Sequence, residues 1–176
     1  MSAENSIQLT AQGKQAFQRG QFEQAADLFR RASQALAAED AARDAIAEMD
    51  NNLSVALLQA GKAREALEAA LGSDEVFAQI NDPRRQGMSL GNQAAALEAL
   101  GRIDEALNAY DRSAEILSAA GEGDMLAMVK QSAAAIRLKR GQLVQSALNM
   151  VGSVEAKSKP SILERILKFL FRFKKW

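Results

Sequence analysis

The chain contains no cysteine and no histidine. The first absence removes disulfides, thiol nucleophiles and cysteine metal sites, and suits a reducing compartment. The second removes a Ser-His-Asp triad, an imidazole general base and a His-ligated zinc. Carboxylate, lysine or tyrosine chemistry is what remains for an enzyme. The acids Asp104, Glu105, Glu122 and Asp124 stand at expected turns, where solvated or capping roles suit them better, so no catalytic residue, metal or cofactor is expected. Proline is nearly absent (Pro83 and Pro160), and β-branched runs are missing. No stretch of about 18 apolar residues occurs, so no transmembrane helix is expected. The start, Met-Ser-Ala-Glu-Asn-Ser, has neither a basic n-region nor an apolar core, so no signal peptide is expected either, and the expected location is cytoplasmic.

What is present is alanine, throughout, in a chain of 176 residues that are 48% hydrophobic. Alanine loses no side-chain entropy in a helix, so the expected fold is all-α. The net charge of zero conceals a division. Residues 157–176 carry seven basic residues against Glu164 alone, a net +6, which leaves −6 on residues 1–156.

Four glycines set the organisation. Gly20, Gly61, Gly101 and Gly141 recur with a period of about 40 residues. Each is followed by a polar residue, an apolar residue, two further residues and a small one, as in Gly61-Lys62-Ala63-Arg64-Glu65-Ala66 and Gly101-Arg102-Ile103-Asp104-Glu105-Ala106. Glycine supplies the backbone freedom of a tight turn between helices, and the small residue lets two helices approach. The expected helices are 6–19, 22–38, 41–60, 63–79, 84–100, 103–119, 124–140 and 142–154. Asp82-Pro83 opens the fifth, with Asp as N-cap and Pro at the first position. Asp124 is the expected cap of the seventh.

In its first unit the chain resembles the tetratricopeptide repeat family, with Leu9, Gly13, Ala16, Gly20, Ala25, Phe29 and Ala32 where that motif has large, small or aromatic residues. Leu90, Ala94, Leu97, Gly101, Ala106 and Tyr110 do the same in the third. The second departs at Ala70, where an aromatic is usual, and the fourth at Ser146 and Met150. The period exceeds the family's usual length of about 34 residues and is similar to the long-helix subtype of kinesin light chains. Asn51-Asn52-Leu53 adds to that similarity. The resemblance implies an α-solenoid of four helical hairpins over residues 1–154 (repeats about 6–40, 41–81, 82–121 and 122–154). It also implies a non-catalytic adaptor or scaffold that binds a protein or peptide in a concave groove.

The first helix of each pair would line that groove. At one shared phase ahead of the four glycines stand Ala11, Asn52, Asn92 and Ser132. An asparagine has both donor and acceptor and can hold the backbone of an extended peptide. The alternative is that Asn52 and Asn92 hydrogen-bond between adjacent repeats. Lys14, Asn51, Val55, Met88, Gln131 and Ala135 belong to the same strip. A groove that grips a terminal carboxylate would need clustered basic residues, and the first three repeats offer only Lys14. Arg84-Arg85 and Arg137, Lys139, Arg140 read as solvated helix ends. The acidic body argues against nucleic acid. Gly87, Gly91 and Gly121-x-Gly123 precede no phosphate-binding helix after a strand and read as packing and turn positions.

Residues 155–161 read as a linker, and Ser161-Ile162-Leu163-Glu164 as a capping box opening a basic amphipathic helix over 162–176. Ile166, Phe169, Leu170 and Phe173 fall on its apolar side, Lys168 and Arg172 on its basic side, and Trp176 ends it. Three roles are open to this helix: a cap over the last repeat, a peripheral anchor on an anionic membrane, or a plug in a partner's groove or this protein's own. A solenoid with an uncovered end leaves self-association open as well.

Overall fold

In the computed structural model, residues 5–155 are described, with side-chain burial through Leu148. They are all helical, with no strand among them. The elements are α1 (Ser6–Gln18), α2 (Phe22–Ala38), α3 (Arg43–Gln59), α4 (Ala63–Ala70), α5 (Ser73–Gln79), α6 (Pro83–Ala99), α7 (Ile103–Ala119) and α8 (Gly123–Glu155). The chain divides into two units, residues 1–133 and 134–176.

In the first unit the helices from α1 to α7 pack largely in chain order, and α6 also meets α3 and α4. Six of the connections between helices are built alike. A residue with positive φ stands at Gly20, Asp40, Gly61, Asn81, Gly101 and Gly121, evenly spaced along the chain. At each, the next N–H returns to the carbonyl at the same distance back: Gln21 to Ala16, Ala41 to Leu36, Lys62 to Leu57, Asp82 to Phe77, Arg102 to Leu97 and Glu122 to Leu117, all at 2.9–3.0 Å. This is the Schellman closure, which satisfies carbonyls that a helix end leaves open. Glycine enters the left-handed region without Cβ strain. Asp and Asn are the side chains that tolerate it best, which is why they can replace glycine at 40 and 81.

Caps and close approaches do the rest. The Asn5 side chain accepts from the Gln8 N–H at 2.9 Å, and Asp82 accepts from the Arg85 N–H at 2.9 Å with Pro83 at the first helical position, as the sequence predicts for that helix start. Gly13 lies against the Phe29 ring and Gly87 against Leu117; a Cβ at either would come within 2.8 and 2.6 Å of them. One hydrogen bond recurs at the equivalent place in successive repeats: Ser73 Oγ donates to the Ala47 carbonyl at 3.5 Å and Ser113 Oγ to the Gly87 carbonyl at 2.6 Å.

Three helix expectations need correction. Residues 63–79 are two helices, because α4 ends at Ala70, with Leu71 extended and Gly72 at φ +84° before α5. The carbonyl of Ala70 finds its donor outside the helix, in Gln93 Nε2 of α6 at 3.1 Å, and the same nitrogen donates to buried Asp74 at 2.7 Å. Asp124 is inside the first turn of α8 and does not cap it.

The third correction is the largest. α8 passes through Gly141 unbroken, so 124–140 and 142–154 are not separate helices. The reason lies in the face a returning helix would need. Seven positions before the turn glycine stand Gly13, Ser54 and Ala94, all buried; the equivalent Ala134 is exposed. Four positions before it stand Ala16, Leu57 and Leu97, all buried; the equivalent Arg137 is exposed. Lys130 replaces the buried Leu9 and Leu90. A second helix packed there would desolvate charge rather than bury apolar area, so the turn is not made.

Candidate functional site

Among the described residues, exposed large apolar side chains recur at one phase of the repeat. Ile7, Met88 and Met128 are 77%, 43% and 68% exposed, and they hold the same position relative to Gly20, Gly101 and Gly141. The second unit of the repeat has Glu48 there. Glu48 pairs with Arg85 at 3.6 Å, and Arg85 also meets Asp44 at 3.5 Å and Asp82 at 2.6 Å. Its guanidinium lies 4.8 Å from the Phe77 ring centre. The hydrogen bond with Asp82 holds the arginine above its ordinary value. The Arg85 N–H and guanidinium together hold the Asp82 carboxyl below its own. Arg85 is therefore committed to tying α6 to α3.

A cleft of about 280 Å³ opens between α6 and the first part of α8, with α7 beneath it. Met88, Gly91, Asn92 and Ala95 line it from α6, Tyr110 and Leu117 from α7, and Met125, Met128, Val129 and Ser132 from α8. Small residues make the space. A Cβ on Gly91 would touch Val129 and Ser113 only at ordinary contact distance, 3.7 and 3.8 Å. Most of the wall is apolar, and three methionines give it adaptable shape. The polar groups are the Asn92 amide, the Ser132 hydroxyl and, below, the Tyr110 phenol. Tyr110 Oη donates to Glu98 at 3.2 Å and has Ser132 as a second partner. Burial, with the Glu98 carboxylate beside it, pushes the phenol up to about 12, so it is neutral across the physiological range.

Three of the seven groove residues predicted from sequence thus meet in one cleft: Met88, Asn92 and Ser132. The other four do not line it. Lys14 on α1 and Gln131 on α8 are exposed, and Asn51 and Asn52 on α3 are half-buried. Among the described residues no side-chain hydrogen bond of Asn52 or Asn92 is seen. Asn51 Oδ1 is buried without one also. Sequence reasoning did not single out Ile7, Tyr110, Met125, Met128 or Val129 as groove residues. The signal for Ile7 and Met128 was the same repeat phase as Met88. Tyr110, on a different helix, had none. The tail residues Ile166, Lys168, Phe169, Leu170, Arg172, Phe173 and Trp176 lie outside the described residues.

The cleft can bind an apolar group and orient it with an amide and a hydroxyl. Its single titratable lining group is the Tyr110 phenol. No helix among the described residues is long and apolar enough to cross a membrane. In comparisons with known proteins, no family model matches the chain and no curated protein matches it.

Proposed function

We propose that this protein is a non-catalytic protein- or peptide-binding scaffold of the tetratricopeptide kind, related in form to the long-helix repeats of kinesin light chains. Its ligand is a peptide segment lying across α3, α6 and the first part of α8, with one large apolar side chain seated in the α6–α8 cleft. The observation that carries this is the cleft itself. Met88 and Met128 occupy one repeat phase, Asn92 and Ser132 another, and all four converge on one apolar space. Turns of one geometry at even spacing support the solenoid part of the reading. Seating one large apolar side chain contributes ~1.5–3 kcal/mol, a factor of about 10 to 150 in affinity. Asn52, and Asn51 beside it, would hold the peptide backbone further along.

The test is selection of a random peptide library on the full chain, followed by measured affinities of the selected peptides. Ala95→Phe fills the cleft and should weaken binding at least tenfold; Asn52→Ala with Asn92→Ala should also weaken it while circular dichroism is unchanged. Peptides that bind the Ala95→Phe protein as well as the native one would move the site elsewhere.

A second reading, a cytoplasmic scaffold held at an anionic membrane by residues 161–176, is favoured by the net +6 and the four aromatics of the C-terminal segment.

A further inference from the structure

With no cysteine, the six methionines carry all the sulfur in the chain. Three of them, Met88, Met125 and Met128, line the cleft between α6 and α8. Met125 and Met128 stand three residues apart on one side of α8, and Met88 lies across from them on α6. Met88 and Met128 are 43% and 68% exposed, and Met125 is half-buried. Met49 on α3 is the contrast. It is 5% exposed, and its sulfur meets the Thr10 hydroxyl at 3.2 Å. An oxidant in solution therefore reaches the sulfur of the cleft ahead of the sulfur of the core.

We propose that the cleft is a methionine oxidation site, and that conversion of Met88 and Met128 to sulfoxides closes it to its apolar ligand. The inference rests on the reading of the cleft as a peptide site and adds its regulation. The oxidant is a peroxide. A thioether lone pair attacks one oxygen of hydrogen peroxide; the sulfur–oxygen bond forms as the oxygen–oxygen bond breaks. The proton of the transferred oxygen passes to the leaving hydroxide, which departs as water. Sulfur is oxidised by two electrons and the peroxide is reduced by two. A flexible apolar wall thereby becomes a polar one. Covering a sulfoxide oxygen with an apolar side chain takes away its water and gives no hydrogen bond in return. The Asn92 amide lies in the same cleft and can donate to that oxygen. The group that would orient the peptide is then engaged within the protein. The buried residues of α6 and α7, among them Leu90, Leu97 and Leu117, carry no sulfur, so the scaffold beneath is untouched. A thiol-dependent sulfoxide reductase reverses the change, releasing the oxygen as water while two thiols become a disulfide.

The full chain is treated with hydrogen peroxide, freed of it, and followed by peptide mapping and by binding. Mass spectrometry should find Met128 and Met88 converted about tenfold or more faster than Met49; equal rates overturn the proposal. The binding probes are library-selected peptides, free of methionine and cysteine, whose affinity Ala95→Phe weakens. The oxidised chain should bind them about tenfold or more weakly, with circular dichroism unchanged. A sulfoxide reductase with dithiothreitol should restore the affinity. Unchanged affinity after conversion of Met88 and Met128 overturns the proposal and leaves the cleft a peptide site. If Ala95→Phe weakens no selected peptide, the reading of the cleft itself fails, and this inference with it. Met88→Leu with Met125→Leu and Met128→Leu keeps an apolar wall of similar volume without its sulfur, and should bind within about threefold of the native chain before and after peroxide. A loss on peroxide as large as the native chain's would place the lesion at another residue and overturn the proposal.

Discussion

The chain meets a glycine at the same phase four times and responds in two ways. At Gly20, Gly61 and Gly101 it turns; at Gly141 it continues as helix. The residues nearest the glycine do not explain the difference. At the first three, the helix that has just ended presents a buried small residue seven positions back and a buried apolar one four positions back. At the fourth it presents exposed Ala134 and Arg137. A left-handed residue permits a hairpin, and burial of the returning helix drives it. Permission without burial leaves glycine in a helix, at a cost of ~1 kcal/mol relative to alanine.

The strongest way to break that contrast is to give a turning repeat the face of the one that does not turn. Leu97→Arg should lower the unfolding free energy by about 3 kcal/mol or more, measured by urea denaturation, because it removes a well-buried side chain and desolvates a charge. The equivalent Arg137→Leu should change it by less than ~1 kcal/mol. A large loss at both positions would mean that Arg137 faces a partner helix after all.

The next effect separates close packing from open space on one helix. Gly87→Ala places a Cβ 2.6 Å from fully buried Leu117, and should cost about 1–3 kcal/mol. Gly91→Ala, one turn further on, meets only ordinary contacts and should be neutral or slightly stabilising in the same assay. The smallest effect has opposite signs at two in-phase glycines. Gly101→Ala forces alanine into the left-handed region and should destabilise by ~1 kcal/mol. Gly141→Ala should stabilise by ~0.5–1 kcal/mol. Equal shifts in thermal midpoint would show that Gly141 also sits at a turn in solution.

Much of this architecture was legible in the residues. Helix follows from alanine and the absence of β-branched runs, and four turns follow from glycine. Two further turns, at Asp40 and Asn81, were harder to read as left-handed positions, because Asp and Asn serve equally well as caps. The break at Gly72 was not legible at all, since the donor that relieves it, Gln93, lies on another helix. In the cleft, repeat phase brought out Met88, Asn92 and Ser132. Tyr110 and Met125 join them only through the packing of α7 and α8, which no local pattern reports.

The evenness of the six turns bears on how the first unit comes to be folded. Most helices find a main partner in a helix next to them along the chain, so little loop entropy is spent before contacts are gained, and low contact order of this kind goes with folding in microseconds to milliseconds. Gln93 is the exception that couples the process. By donating to Ala70 and Asp74 it joins α6 to the broken helix before it, so α4 and α5 gain their full set of hydrogen bonds only after α6 has docked.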